Sequence, residues 1–231
     1  MAKAIRTTHR STGFLAANKV KDPRIVWQEL AARGVKDVRH AQLAVGDRIV
    51  GLVGKTGDVR LVHADDAVHD SSLAHGAWEG IALRDDGGAA LAWTTREIAE
   101  VEFPSGKARP VRHGLEGKIQ GVAYALLEIA ILIEAGDGLA LHVMRRTDGA
   151  LEPIASRAID DFIFGFGGRA GALVATTDEK ETSVVYVWKN GRLDEAGKLK
   201  PRLNMVQTFG DELHVSGQQG TYEVALADLV R

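Results

Sequence analysis

A unit of about forty residues recurs along this 231-residue chain, and a period of that length restricts the fold more than any single motif. Each unit holds an apolar stretch, a Gly/Asp turn, a second apolar stretch, another turn and a third, alternating run. The second stretches are RIVGLVG from Arg48, AALAWTT from Ala89, EIAILIEAG from Glu128, AGALVATT from Ala170 and ELHVSGQQ from Glu212. Their starts are 41, 39, 42 and 42 residues apart. Turns at Gly46-Asp47, Asp85-Asp86-Gly87-Gly88, Gly167-Gly168 and Gly210-Asp211 precede four of the five, and Leu127 stands in the remaining place.

The third stretches, DVRLVHA, EIAEVEF, LALHVMR, SVVYVWK and TYEVALA, alternate with period two and are rich in residues that suit half-buried strands. Polar runs such as PSGKARPV, TDGALEPI and KNGRLDEA follow, with the composition of an exposed edge strand. Four strands per unit predict an all-β chain of five four-stranded antiparallel blades. The first strands are VRHAQLAV, WEGIALRDD, QGVAYALL, DDFIFGFG and LNMVQTFG. The last unit ends after three strands, so an N-terminal strand is expected to complete it, and Arg24–Leu30 is placed to do so. The same segment also reads as a short helix, with Asp22-Pro23 before it and Gly34 after it. The expected organisation is a basic N-terminal arm over 1–23 and one domain over 24–231.

Composition narrows the function classes. A net charge of −2 supplies no general pull toward polyanions. With no cysteine there is no disulfide, thiolate metal site or cysteine nucleophile. Charges run through the first twenty residues, which therefore lack a secretory h-region. The longest apolar run, around YALLEIAILIEAG, is broken by Glu128 and falls short of the ~20 residues that span a bilayer. A soluble, cytoplasmic protein is expected. Lys3, Arg6, Arg10, Lys19 and Lys21 precede the first acidic residue, so nucleic acid could be contacted only through this arm.

Three motifs suggest chemistry and fail on context. GLVGKTGD from Gly51 ends like a phosphate-binding loop, but Ile49 occupies the required glycine position and a strand follows where a helix is needed. GFGGRAGA from Gly165 imitates a dinucleotide fingerprint, and ALVATT after it is too short and β-branched for a crossover helix. His63, His69 and His75, with Asp65, Asp66 and Asp70 among them, offer metal-binding groups, yet the repeat spreads them along an outer edge. No metal and no cofactor is expected.

Aligning the repeats brings His40, Glu79, Gln120, Asp161 and Asn204 to similar positions near the start of each innermost strand. Such residues would ring one mouth of a central channel, where converging polar groups make a candidate ligand-binding site. Any ring mouth is also wet and therefore polar, which is the plainer account of the same set.

By period and strand pattern, residues 24–231 resemble the five-bladed β-propellers, among them the tachylectin-type sugar binders and the arabinanase- and invertase-type glycosidases. The glycosidase resemblance implies carboxylates at separate strand starts, for which Glu79 and Asp161 are available, but the third acidic position of the usual set is missing. The lectin resemblance implies five like pockets, and these repeats are unlike one another. None of Trp27, Trp78, Trp93 and Trp188 is followed by Asp, unlike the WD-repeat pattern. The expectation is a non-enzymatic interaction module or assembly subunit with protein partners, the alternative being a glycan or small-molecule binder at the channel mouth.

Overall fold

Turns cut the apolar runs into short strands, and nearly every strand pairs with the one next to it in sequence. The computed structural model describes residues 3–4, 13–23, 26–44, 49–63, 67–74, 76–84, 86–125, 127–136, 138–147, 150–159, 162–164, 172–177, 182–189, 192–200, 202–209 and 212–229. The N-terminal part holds β1 (Lys3–Ala4), β2 (Asn18–Val20) and helix α1 (Val26–Ala32). The first repeat forms β3 (Val38–Ala44), β4 (Ile49–Gly54), β5 (Val59–His63) and β6 (Val68–Asp70). The second forms β7 (Gly80–Leu83), β8 (Ala89–Trp93), β9 (Ile98–Glu102) and β10 (Ala108–Val111). The third forms β11 (Lys118–Ala125), β12 (Glu128–Ala135), β13 (Gly138–Thr147) and β14 (Ala150–Ile159). The fourth forms β15 (Phe162–Phe164), β16 (Ala172–Thr177), β17 (Thr182–Lys189) and β18 (Arg192–Leu199). The last contributes β19 (Leu203–Phe209), β20 (Glu212–Gly217) and β21 (Gly220–Ala225), before the short α2 (Leu226–Leu229).

Each repeat is one antiparallel sheet in chain order. Among the described residues, four sheets have the expected four strands. The third has five, which corrects the expectation of uniform blades: β1 adds in parallel to the outer edge of β14, with Lys3 opposite Ala155. The fifth sheet takes its outer strand from the N-terminal region, as β2 pairs with β21 through Asn18 opposite Glu223 and Val20 opposite Thr221.

That pairing lies upstream of the segment proposed for it. Val26–Ala32 is helical, so the strand expected over Arg24–Leu30 is corrected to a helix from Val26, with Arg24 and Ile25 outside the described residues. Gly34 ends it in the left-handed region at φ 71°, while the Gly34 and Val35 amides donate to the carbonyls of Ala31 and Leu30. The helix buries Leu30 against Leu52 and Val62 of the first sheet.

The sheets stack face to face through apolar clusters. Val53, Leu61, Ile81 and Ala92 join the first sheet to the second, and Leu91, Ile98, Ile131 and Met144 the second to the third. Leu132, Val143, Tyr186 and Trp188 join the third to the fourth, and Val185, Val187, Leu213 and Val215 the fourth to the fifth. The innermost strands β3 and β19 are neighbours, bringing the first sheet beside the last. The result is the propeller arrangement, a ring of sheets. A middle strand between two sheets is covered on both faces, which is why every residue of AALAW in β8 is buried. Gly80 shows how close the contacts run, since a Cβ there would collide with the indole of its cross-strand partner Trp93.

Candidate functional site

Among the described residues, three innermost strands share an irregularity near their N-terminal ends. The β3–β4 ladder steps from Val38 to His40, the β11–β12 ladder from Ile119 to Gly121, and the β19–β20 ladder from Leu203 to Met205. In each case one residue is skipped: Arg39, Gln120 and Asn204. A bulge leaves its extra residue unpaired and re-aims the side chain, and all three are exposed. In the second sheet Glu79 takes the equivalent place just before β7, exposed, its amide donating to the Trp93 carbonyl at 2.8 Å.

The register therefore corrects the sequence alignment by one residue in the first repeat, where Arg39 and not His40 matches Glu79, Gln120 and Asn204. Asp161 lies outside the described residues. His40 stands next to the bulge and is engaged in holding two sheets together: its Nδ1 accepts the amide of Ile81 at 3.2 Å, and its ring meets Trp93 edge-on at 5.2 Å. Burial pushes its pKa down to about 4, so the imidazole is neutral at physiological pH, with the proton on Nε2. A neutral, hydrogen-bonded ring of this kind ties β3 to β7.

Around the bulges the polar groups are unlike one another. The Arg39 guanidinium donates to the Trp78 carbonyl at 3.0 Å, and the Gln120 amide donates to Glu134 at 2.5 Å. The antiparallel ladders put the ends of the second strands, and so the turns to the third strands, at the same end of each sheet. One such turn is Gly54–Asp58, the end of GLVGKTGD. Lys55 is paired with Asp37 at 2.9 Å, the Thr56 hydroxyl bonds Asp58 at 2.6 Å, and Gly57 has φ 84°. Strand, tight turn and strand leave no helix N-terminus to meet a phosphate.

The other sequence candidates are only partly placed. His63 and His69 lie across the β5–β6 pair with ring centroids 4.9 Å apart, and Asp70 pairs with Arg60 at 3.3 Å. Asp65, Asp66 and His75 lie outside the described residues, as do Gly165 to Gly171 of the dinucleotide-like stretch.

Sequence reading missed a buried charge cluster between the second and third sheets. Glu100 is 4% exposed, bound by both Arg146 nitrogens at 2.7 and 3.0 Å and by Arg109 at 2.7 Å. Burial beside this carboxylate raises the pKa of the Tyr124 phenol. The cluster fixes two sheets to each other, and nothing in the sequence signals it, since alternation in EIAEVEF groups Glu100 with Glu102 on the polar face.

No family model and no curated protein sequence matches the chain. Among solved structures it is similar to Kuenenia stuttgartiensis hydrazine synthase, at 12% identity and a TM-score of 0.53, over 78% of this chain and 55% of that one. It is also similar to the β-propeller domain of Myceliophteria thermophila Cps50 (Swd1), at 10% identity and a TM-score of 0.51, over 88% of this chain and 66% of that one. The chain thus spans between half and two thirds of the length of these structures. At such identities the likeness shows the β-propeller fold alone.

Proposed function

We propose that the chain is a non-enzymatic interaction module: a five-bladed propeller closed by its N-terminal strand, docking protein partners on the face that carries the bulges. Residues 24–231 supply the blades. The arm over 1–23 meets the outer edges of two sheets at Lys3–Ala4 and Asn18–Val20, the second serving as its closing strand. The observation that carries the reading is the set Arg39, Glu79, Gln120 and Asn204. They occupy one structural position in four repeats and are all exposed, yet they differ in charge and shape. Repeated small ligands call for repeated pockets, whereas a cation, a carboxylate and two amides around one rim suit a single asymmetric partner. Backbone pairing engages the arm at β1 and β2, which favours a structural use over contact with nucleic acid.

The test is native copurification with the tagged chain, followed by a charge-reversed pair, Arg39→Glu with Glu79→Lys. A partner recovered by the wild type and lost by the reversed pair supports the proposal. Recovery of the chain alone, at monomeric size, overturns it.

A second reading, a glycan or small-molecule site at the same mouth, draws on the exposed Glu79 carboxylate and on Asp161. It predicts that Glu79→Ala and Asp161→Ala abolish glycan binding or turnover with the melting temperature unchanged.

A further inference from the structure

The fifth sheet has two unlike faces. Leu213, Val215 and Val224 pack on the fourth sheet, while the opposite face presents Glu212, His214 and Ser216 from β20 with Thr221 and Glu223 from β21. Glu212 and His214 are two apart on one strand and so share that face. Glu223 is the direct cross-strand partner of His214, a pairing that brings Cβ atoms to about 5 Å. The His214 Nε2 lies 3.2 Å from a Glu212 oxygen and 3.8 Å from a Glu223 oxygen, and one donor atom from each residue falls within 4.8 Å of the others.

We infer that Glu212, His214 and Glu223 form a binding site for a divalent transition-metal ion of the zinc type. Donor separations support this. With bonds of about 2.0–2.2 Å, tetrahedral zinc places its ligands roughly 3.3–3.6 Å apart, so the two separations bracket what is needed. Burial supports it too. The His214 side chain is 3% exposed and holds its Nε2 between the carboxylates, while Glu212 at 52% and Glu223 at 33% leave the opposite side open to solvent. A rigid imidazole thus forms the base of the site and two adjustable carboxylates its rim. Three protein donors leave a fourth position for water. Imidazole with carboxylate selects zinc or cobalt over calcium and magnesium, which prefer all-oxygen shells. The location adds a structural consequence: Glu223 also pairs with Asn18 of β2, so a bound ion sits where the N-terminal strand joins the sheet.

The competing use of the same three groups is a hydrogen bond from the imidazole to the carboxylates, which requires no metal. Cobalt(II) distinguishes them, because four-coordinate cobalt absorbs strongly in the visible. Chelator-treated full-length protein should take up one equivalent of cobalt with that absorption, zinc should displace it, and zinc should raise the melting temperature. Glu223→Gln and Glu212→Gln, at partly exposed positions, should each weaken binding by at least about tenfold; His214→Gln should abolish it. Should His214→Gln fail to fold, the two glutamate variants carry the test. Absence of the absorption, uptake unchanged in both glutamate variants, or tighter binding of calcium than of zinc would overturn the assignment.

Discussion

His40 of the first sheet holds the second through a hydrogen bond from the Ile81 amide to its Nδ1, 3.2 Å long. Folded, the desolvated ring stays neutral down to about pH 4, whereas in the unfolded chain it takes up a proton near 6.5. Between those values the unfolded state binds more protons, so stability falls as the pH drops from about 6.5 toward 4. This group accounts for up to about 1.4 kcal/mol per pH unit in that window and for no change outside it. His142, half-buried and shifted the same way by desolvation, adds to the slope. Denaturant unfolding at a series of pH values measures the effect, and His40→Asn, which keeps an acceptor and removes the titration, should flatten the curve.

Glu100 is the group on which two guanidinium ions converge, and its removal leaves Arg146 without its carboxylate between two sheets. Breaking a buried pair by deleting one partner costs about 3–5 kcal/mol. Glu100→Ala should therefore lower the melting temperature by roughly 6–20 °C in a domain of this size. Arg146→Ala should cost more than Arg109→Ala, because the Arg109 side chain is 61% exposed and water screens its contact. Equal effects from the two arginine variants would contradict this account.

Much of this architecture was legible because strand alternation and turn residues are local. The β4, β8, β12, β16 and β20 runs announce themselves by apolar content, and turns rich in Gly or Asp mark where all but β12 begin. What was not legible has physical causes. The Asn-Lys-Val of β2 lies at an outer edge with no residue of it fully buried, so it carries no alternation to detect. The helix at Val26–Ala32 was signalled by Pro23 and Gly34, and the demand for an edge partner was assigned to the wrong segment. A bulge inserts one residue without a sequence mark, which is how His40 took the place of Arg39. The charge pairs at Glu100 join residues up to 46 apart, and no local pattern encodes them.

Trp188 links the fourth sheet to the third by a polar and an apolar contact together. It is 1% exposed, packs among Leu132, Leu141 and Leu193, and its indole N–H donates to a Glu128 oxygen at 2.9 Å. Trp188→Ala should cost about 3–5 kcal/mol from the cavity alone. Trp188→Phe, which keeps most of the packing, should cost about 1–3 kcal/mol as Glu128 loses a donor. Glu128 retains Arg145 at 3.3 Å, so the Phe variant should fold. Urea titrations followed by far-ultraviolet circular dichroism would rank the two.

The N-terminal strand makes the sharpest prediction, because it covers an edge that would otherwise accept another chain. β21 gives one side of its backbone to β20 and the other to Asn18–Val20. Nearby, the Leu15 amide donates to the Lys198 carbonyl, and a parallel bridge joins Phe14 to the same residue of β18. Deleting residues 1–21 removes all of these and leaves Thr221–Glu223 with unpaired amides and carbonyls, the arrangement that recruits foreign strands. That variant should oligomerise or precipitate at concentrations where the full chain stays monodisperse by light scattering. Deleting only residues 1–12 keeps β2 and the Leu15 bond and loses β1 from an edge outside a sheet already four strands wide, so it should stay monodisperse. If the longer deletion remains monomeric with an unchanged melting temperature, β2 is dispensable and the edge of β21 is protected by other means.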